Sequence, residues 1–231
     1  ETETIVELCR TGGTTVAAVV SGRPASPMFA AYLDAICTYP EVKGLREVLH
    51  GGRTPAGYCL QPSFIRGIQQ LGERGLSFEI CMRPAELGDA VQLVKACPDT
   101  QFIVDHCGNA DPKAFRRGVE PGRYHDADQW RRQMEQLAAE PNTVCKISGI
   151  VASAPEGWTS DDLAPIVRHC LDIFGDQRVV FGGDWPVCLL GATYRVWVET
   201  LREIVSADSP AMKKGLWHAN AARVYRLPEF G

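Results

Sequence analysis

Arg46, Arg83, His106, Lys146 and Asp184 place charge or a titratable ring within, or at the ends of, otherwise apolar stretches. Asp184 stands out. It follows the run Val179-Val180-Phe181 and two glycines, and Trp185-Pro186 comes directly after it. Glycines break the pleat of a short strand, and proline pushes the residue before it toward an extended backbone, so Asp184 is expected on a stiff turn at a strand end. His106 lies beside Asp105 and Cys107 near the end of TQFIVDHC, residues Thr100 to Cys107. Strict alternation along that strand puts Phe102, Val104 and His106 on one face. An imidazole and a carboxylate from different strands are usual components of a divalent-metal site. They are equally the components of a metal-free hydrolytic site, in which Asp184 takes a proton from water and His106 polarises a carbonyl.

Arg46, Arg83 and Lys146 are costly to bury unless paired. Either they neutralise Glu47, Glu79 or Asp105, or they bind a carboxylate or hydroxyl-rich substrate, which arginine can grip with two parallel hydrogen bonds. Trp185 has two readings as well, a wall against a sugar ring or a plug at the rim of the fold. His50, in a loop after a strand, is a candidate for the same mouth, whereas His125, His169 and His218 are given no role. Cys107 is next to His106, but neighbours on a strand point to opposite faces, which argues against a Cys-His nucleophile pair.

The elements that must hold these residues alternate. Apolar runs at 14–21, 42–49, 76–82, 100–107, 143–150 and 179–181 read as six strands. Helical spacing occupies 26–38, 63–74 (with Ser63 as its cap), 85–97, 129–139 and 160–174 between them. Two further helices, 193–205 and 210–225, close the chain, and Glu1 to Arg10 reads as the middle of a helix. Continuous apolar strands alternating with helices predict an α/β fold with a parallel sheet, either doubly wound or a (β/α)8 barrel. No glycine-rich phosphate fingerprint follows any strand, so a nucleotide cofactor is not expected. The polar residues fall in the C-terminal halves of strands, the face on which barrel active sites are built, which favours the barrel. Eight strands are needed and six are found.

With 231 residues, 45% hydrophobic, the chain can bury a large core, and a net charge of −4 gives no electrostatic reason to expect nucleic acid or an anionic membrane as partner. Nine cysteines without a C-x-x-C pair fit free thiols in a reducing cytoplasm. No run approaches the length of a membrane span. A soluble protein with a small-molecule substrate is expected.

Three segments, FIVDHCG (102–108), VCKISG (144–149) and VFGGDWPV (180–187), resemble the late-strand motifs of the amidohydrolase superfamily, in its amidohydrolase-2, sugar-lactonase-like branch. KGLR (43–46) and NAARVY (220–225) match its patterns too. That resemblance implies a distorted (β/α)8 TIM barrel and a hydrolase opening a sugar-acid lactone or related cyclic ester. It implies Asp184 as general base, His106 as its partner, and Arg46 and Arg83 facing the substrate. Lys146 and Trp185 join them as candidate substrate-binding residues. Family members begin with a strand ending in His-x-His, and this sequence contains no such motif. The expectation is therefore one amidohydrolase domain over 1–231 that lacks its first two β/α units. One divalent metal, Zn or Mn, is an implied cofactor, with His106 and Asp184 as ligands. The alternatives on the same scaffold are a decarboxylase or amide hydrolase, and a non-catalytic relative if the upstream histidines are truly absent. A homo-oligomer is compatible with the resemblance.

Overall fold

The computed structural model describes residues 2–52, 54–120 and 122–227. Six parallel strands pair in sequence order: β1 (Ala18–Ser21), β2 (Val42–Val48), β3 (Ser77–Cys81), β4 (Phe102–Val104), β5 (Thr143–Ile147) and β6 (Val179–Phe181). Helix α1 (Thr2–Thr11) precedes them. The connections carry α2 (Phe29–Ile36), α3 (Pro62–Glu73), α4 (Leu87–Ala96), α5 (Ala127–Ala139) and α6 (Ser160–Phe174), and α7 (Tyr194–Ile204) follows β6. The expected α/β alternation is therefore present, as six successive β/α units of a barrel.

The two faces of the sheet are chemically distinct. Phe78, Ile80, Phe102, Val104, Cys145 and Ile147 point outward, into the main core with the helices. Ile103, Val144 and Val180 line the inner face, where Ala221, Val224 and Tyr225 pack against them. Period-2 alternation puts Arg46, Glu79, Asp105 and Lys146 on that inner face as well, and Arg46 lies beside Glu79 in register.

These four charges form one network. Lys146 Nζ lies 2.6 Å from Glu79 Oε1 and 2.7 Å from Asp105 Oδ1, and the Tyr225 hydroxyl donates to Glu79 at 2.7 Å. Arg46 Nη1 reaches Asp105 at 3.4 Å and Glu79 at 3.9 Å. Burial works against the Lys146 charge, but Glu79 and Asp105 outweigh it and hold the ammonium well above its usual range. Of the partners considered for these cations, Glu79 and Asp105 are used and Glu47 is not.

Several local expectations change. The strand expected from Thr14 starts at Ala18, and the fifth stops at Ile147 rather than Ile150. Ser63 does not cap α3: Gln61 holds that position, and Pro62 opens the helix, where its missing N–H is no loss. The polar segment 110–125 contains a 3-10 turn at Pro112–Phe115 whose Phe115 ring packs edge-on against Trp130. The single closing helix expected over 210–225 is three pieces, Pro210–Lys214, a π turn at Gly215–Ala219, and Asn220–Val224. Asn220 at the last junction donates to the carbonyls of Asp176 and Val179 at 2.7 and 2.8 Å, pinning the start of β6. Glu1 lies outside the described residues, so the first helix is seen from Thr2.

Candidate active site

β4 ends at Val104, and the backbone then turns sharply. His106, Cys107, Gly108 and Asn109 all have positive φ, at 52°, 52°, 66° and 54°. Each non-glycine residue there costs about 1–2 kcal/mol, so the turn needs external support. Trp130 Nε1 donates to the Cys107 carbonyl at 3.0 Å, and Asn109 Nδ2 donates to the Met82 carbonyl at 2.8 Å. Asp184, after β6, is also left-handed, at φ 49°. The two conformations meet: His106 Nε2 lies 3.7 Å from Asp184 Oδ1.

This turn overturns the alternation argument for His106. Phe102 and Val104 face the helices, and an extended chain would send His106 after them. The left-handed turn instead swings the imidazole to the mouth and drops the Cys107 thiol into the core. Cys107 is thus fully buried while His106 lines the cavity, a division made by the turn rather than by strand alternation.

His106 Nδ1 lies 2.9 Å from Ser148 Oγ. When the hydroxyl donates to Nδ1, Nε2 carries the ring hydrogen toward Asp184; with the opposite polarity, Nε2 is bare and can ligate a cation. Gly149 lies directly beneath the ring. Its φ is 74°, and a Cβ there would stand 2.6 Å from both Cβ and Cγ of His106. Gly149→Ala is therefore expected to displace the imidazole and lower kcat about 100-fold, measured in a steady-state assay with circular dichroism confirming the fold.

The electrostatics separate the pair. Burial, reinforced by Lys146 and Arg46, lowers the His106 pKa against the pull of Asp184. Burial, reinforced by Asp105, raises the Asp184 pKa against His106, Arg46 and Lys146. With Asp184 as a general base, which must be ionised, activity is expected to be lost as pH falls through its raised pKa. The acid limb of kcat/KM is expected above the ordinary aspartate value, because burial raises the Asp184 pKa. A pH–rate profile checks it, and a limb at the ordinary aspartate value contradicts the burial argument.

His106 and Asp184 open onto a cavity of about 790 Å³ whose lining includes Arg46, His50, Arg83 and His125. Arg46 is the best placed of the candidate substrate cations, partly exposed while anchored to Asp105. Arg83 reaches the cavity, but its guanidinium donates to the carbonyls of Gly51 and Thr54 at 3.1 and 2.8 Å and pairs with Glu86 at 2.7 Å, so it ties down the loop after β2. Lys146 does not line the cavity, because its ammonium is enclosed by Glu79 and Asp105. Trp185 is 69% exposed and stands outside the residues that line this cavity. His50 lines the mouth as expected. His125 does so unexpectedly, with Nε2 accepting from the Asp111 N–H at 3.0 Å. Nothing in its polar loop marks it in the sequence; only the fold brings it there.

The residues present fit a divalent cation in part. His106 Nε2 and Asp184 Oδ1, 3.7 Å apart, are close to the spacing of two ligands sharing one ion, and the Ser148 contact can fix the ring for it. Cys81, Asp105 and His106 also offer three donor atoms within 4.8 Å of one another. That second set fits poorly, because Asp105 already neutralises Lys146 and Arg46.

The chain is similar to several known proteins. An L-fucono-1,5-lactonase from Burkholderia multivorans is 33% identical over 198 residues, covering 82% of this chain and 64% of that protein. The chain thus spans under two thirds of this relative's length. Two crystal structures of an amidohydrolase from Burkholderia multivorans superimpose on 98% of this chain and 79% of theirs. One, with HEPES bound, has TM-score 0.88 and 28% identity; the other, with Zn bound, has TM-score 0.87 and 27% identity. The family model described as amidohydrolase matches residues 2–227. A six-stranded barrel arc with His106 and Asp184 at its C-terminal mouth, and a family match over nearly its whole length, establish that the chain belongs to the amidohydrolase family.

Proposed function

We propose that this protein is a cytoplasmic lactonase, a carboxylic ester hydrolase that opens a sugar-acid lactone or related cyclic ester. The observation that carries the reading is the His106–Asp184 pair, set at 3.7 Å by two left-handed turns at the mouth of a cavity of about 790 Å³. The likeness to an L-fucono-1,5-lactonase supports the substrate class.

Asp184 takes a proton from water as the water oxygen bonds to the lactone carbonyl carbon. His106, neutral because its pKa is depressed, donates from Nε2 to the carbonyl oxygen as negative charge develops there. The tetrahedral intermediate then breaks the ring C–O bond, and Asp184 returns its proton to the departing alkoxide. Arg46 orients polar groups of the substrate from the cavity wall. In the opposite ring tautomer, with Nε2 bare, His106 and Asp184 would hold a divalent ion, Zn or Mn, which when bound would supply the carbonyl polarisation in place of the Nε2 hydrogen. No helix among the described residues is long and apolar enough to cross a membrane.

Proton release is the test. A lactone opened at neutral pH yields an ionised hydroxy acid and one proton, so titration at constant pH over a panel of sugar-acid lactones is expected to show enzyme-dependent base uptake. Carbon dioxide release from aromatic acids, with no lactone opened, would move the assignment to a decarboxylase on the same scaffold.

A further inference from the structure

Behind the catalytic turn, on the outer face of the sheet, three cysteines converge from separate elements. Cys107 comes from the left-handed turn, Cys145 from β5 and Cys170 from α6, and each is fully buried. Their sulfurs all lie within 4.8 Å of one another. Any three points so confined lie within about 2.8 Å of a common centre, and a Zn–thiolate bond is about 2.3 Å, so an inward shift of about 0.5 Å per sulfur completes a three-sulfur shell. The Lys146 carbonyl, 3.8 Å from the Cys107 sulfur, stands beside the cluster.

We propose that Cys107, Cys145 and Cys170 form a binding site for a thiophilic closed-shell metal ion, of the Cu(I), Zn(II) or Cd(II) class, separate from the His106–Asp184 cavity. Soft thiolate donors in a set of three select such ions over Mg or Ca. Loading replaces S–H bonds by metal–sulfur bonds and releases the thiol protons to solvent, with no change of oxidation state. Core packing accounts for a small apolar residue at each position, since a free thiol behaves as one. It does not require three sulfurs to share one point, which is the feature a metal uses.

Cd(II) is the probe, added to the folded protein in a Cys9→Ser/Cys37→Ser/Asp184→Asn background that removes the partly buried and exposed thiols and the carboxylate of the His106–Asp184 pair. The expected result is one ion per chain, thiolate-to-metal charge-transfer absorbance, and an X-ray absorption spectrum with three sulfur neighbours. Cys145→Ser and Cys170→Ser should each weaken binding about tenfold or more, while Cys188→Ser, which removes a buried cysteine outside the cluster, leaves it unchanged. A shell of nitrogen and oxygen, equal binding in Cys170→Ser and its parent, or uptake that occurs only as the circular dichroism of the fold is lost would each overturn the proposal. The absorption spectrum of the parent decides the question even where a serine variant fails to fold.

Discussion

On the proposed mechanism, Asp184→Asn is expected to keep its fold and to lose lactone hydrolysis by about 100- to 10,000-fold in kcat, the range that positioned general bases supply. Asparagine is nearly isosteric and tolerates positive φ, so the backbone at φ 49° is undisturbed. What disappears is the ability to accept a proton from water. The loss falls on kcat more than on KM, because Arg46, His50 and the rest of the cavity wall remain. Steady-state kinetics with thermal unfolding as the folding control checks it. Hydrolysis by the variant at the parental rate would remove Asp184 from the mechanism. The acid limb of the parent's profile should vanish from any residual activity of the variant, since that limb is assigned to the same carboxyl group.

The second large effect is on stability. Lys146→Met is expected to cost about 3–5 kcal/mol, the usual consequence of removing one partner from a buried ion pair. Its ammonium is the only one within 3 Å of both Glu79 and Asp105 among the described residues, and Arg46 at 3.4 and 3.9 Å is too exposed to replace it. Two carboxylates would then face each other in the barrel interior with a single, partly solvated cation. Denaturant unfolding measures the loss. Adding Glu79→Gln to Lys146→Met should recover part of it, because one of the uncompensated charges goes too. A Lys146→Met variant within 1 kcal/mol of the parent would show that the network is solvated rather than buried. Activity should fall as well, since Asp105 immediately precedes the turn that carries His106.

Much of this organisation is legible in the amino-acid order, and the reasons are physical. Six apolar runs separated by helical spacing determine a parallel sheet, because only covered faces allow continuous apolar strands. The tight turn that carries Asp184 is legible because Gly182-Gly183 before it and Pro186 after it restrict the chain whatever surrounds it. For His106 the strand pattern and the fold disagree. Period-2 alternation places it outward with Phe102 and Val104, and only four consecutive positive φ values bring it back; Gly108-Asn109, two residues that accept the left-handed region, are the local sign of that turn. Lys146 illustrates what a single strand cannot reveal. A lysine in VCKISG is compatible with substrate or with ion pairing, and the choice depends on Glu79, 67 residues away. Ser148 and His125 are invisible as site residues for the same reason, since their partners are made by the fold. The exposure of Trp185 depends on how the chain leaves the Asp184 turn, which its residue type does not encode.

Attack of water on a lactone carbonyl at the His106–Asp184 mouth is tested most directly by running the reaction in ¹⁸O-labelled water. Mass spectrometry of the opened product should find the label in the new carboxylate, with the ring oxygen retained as an unlabelled hydroxyl. Label on the hydroxyl-bearing carbon, or ring opening without any label, would contradict it.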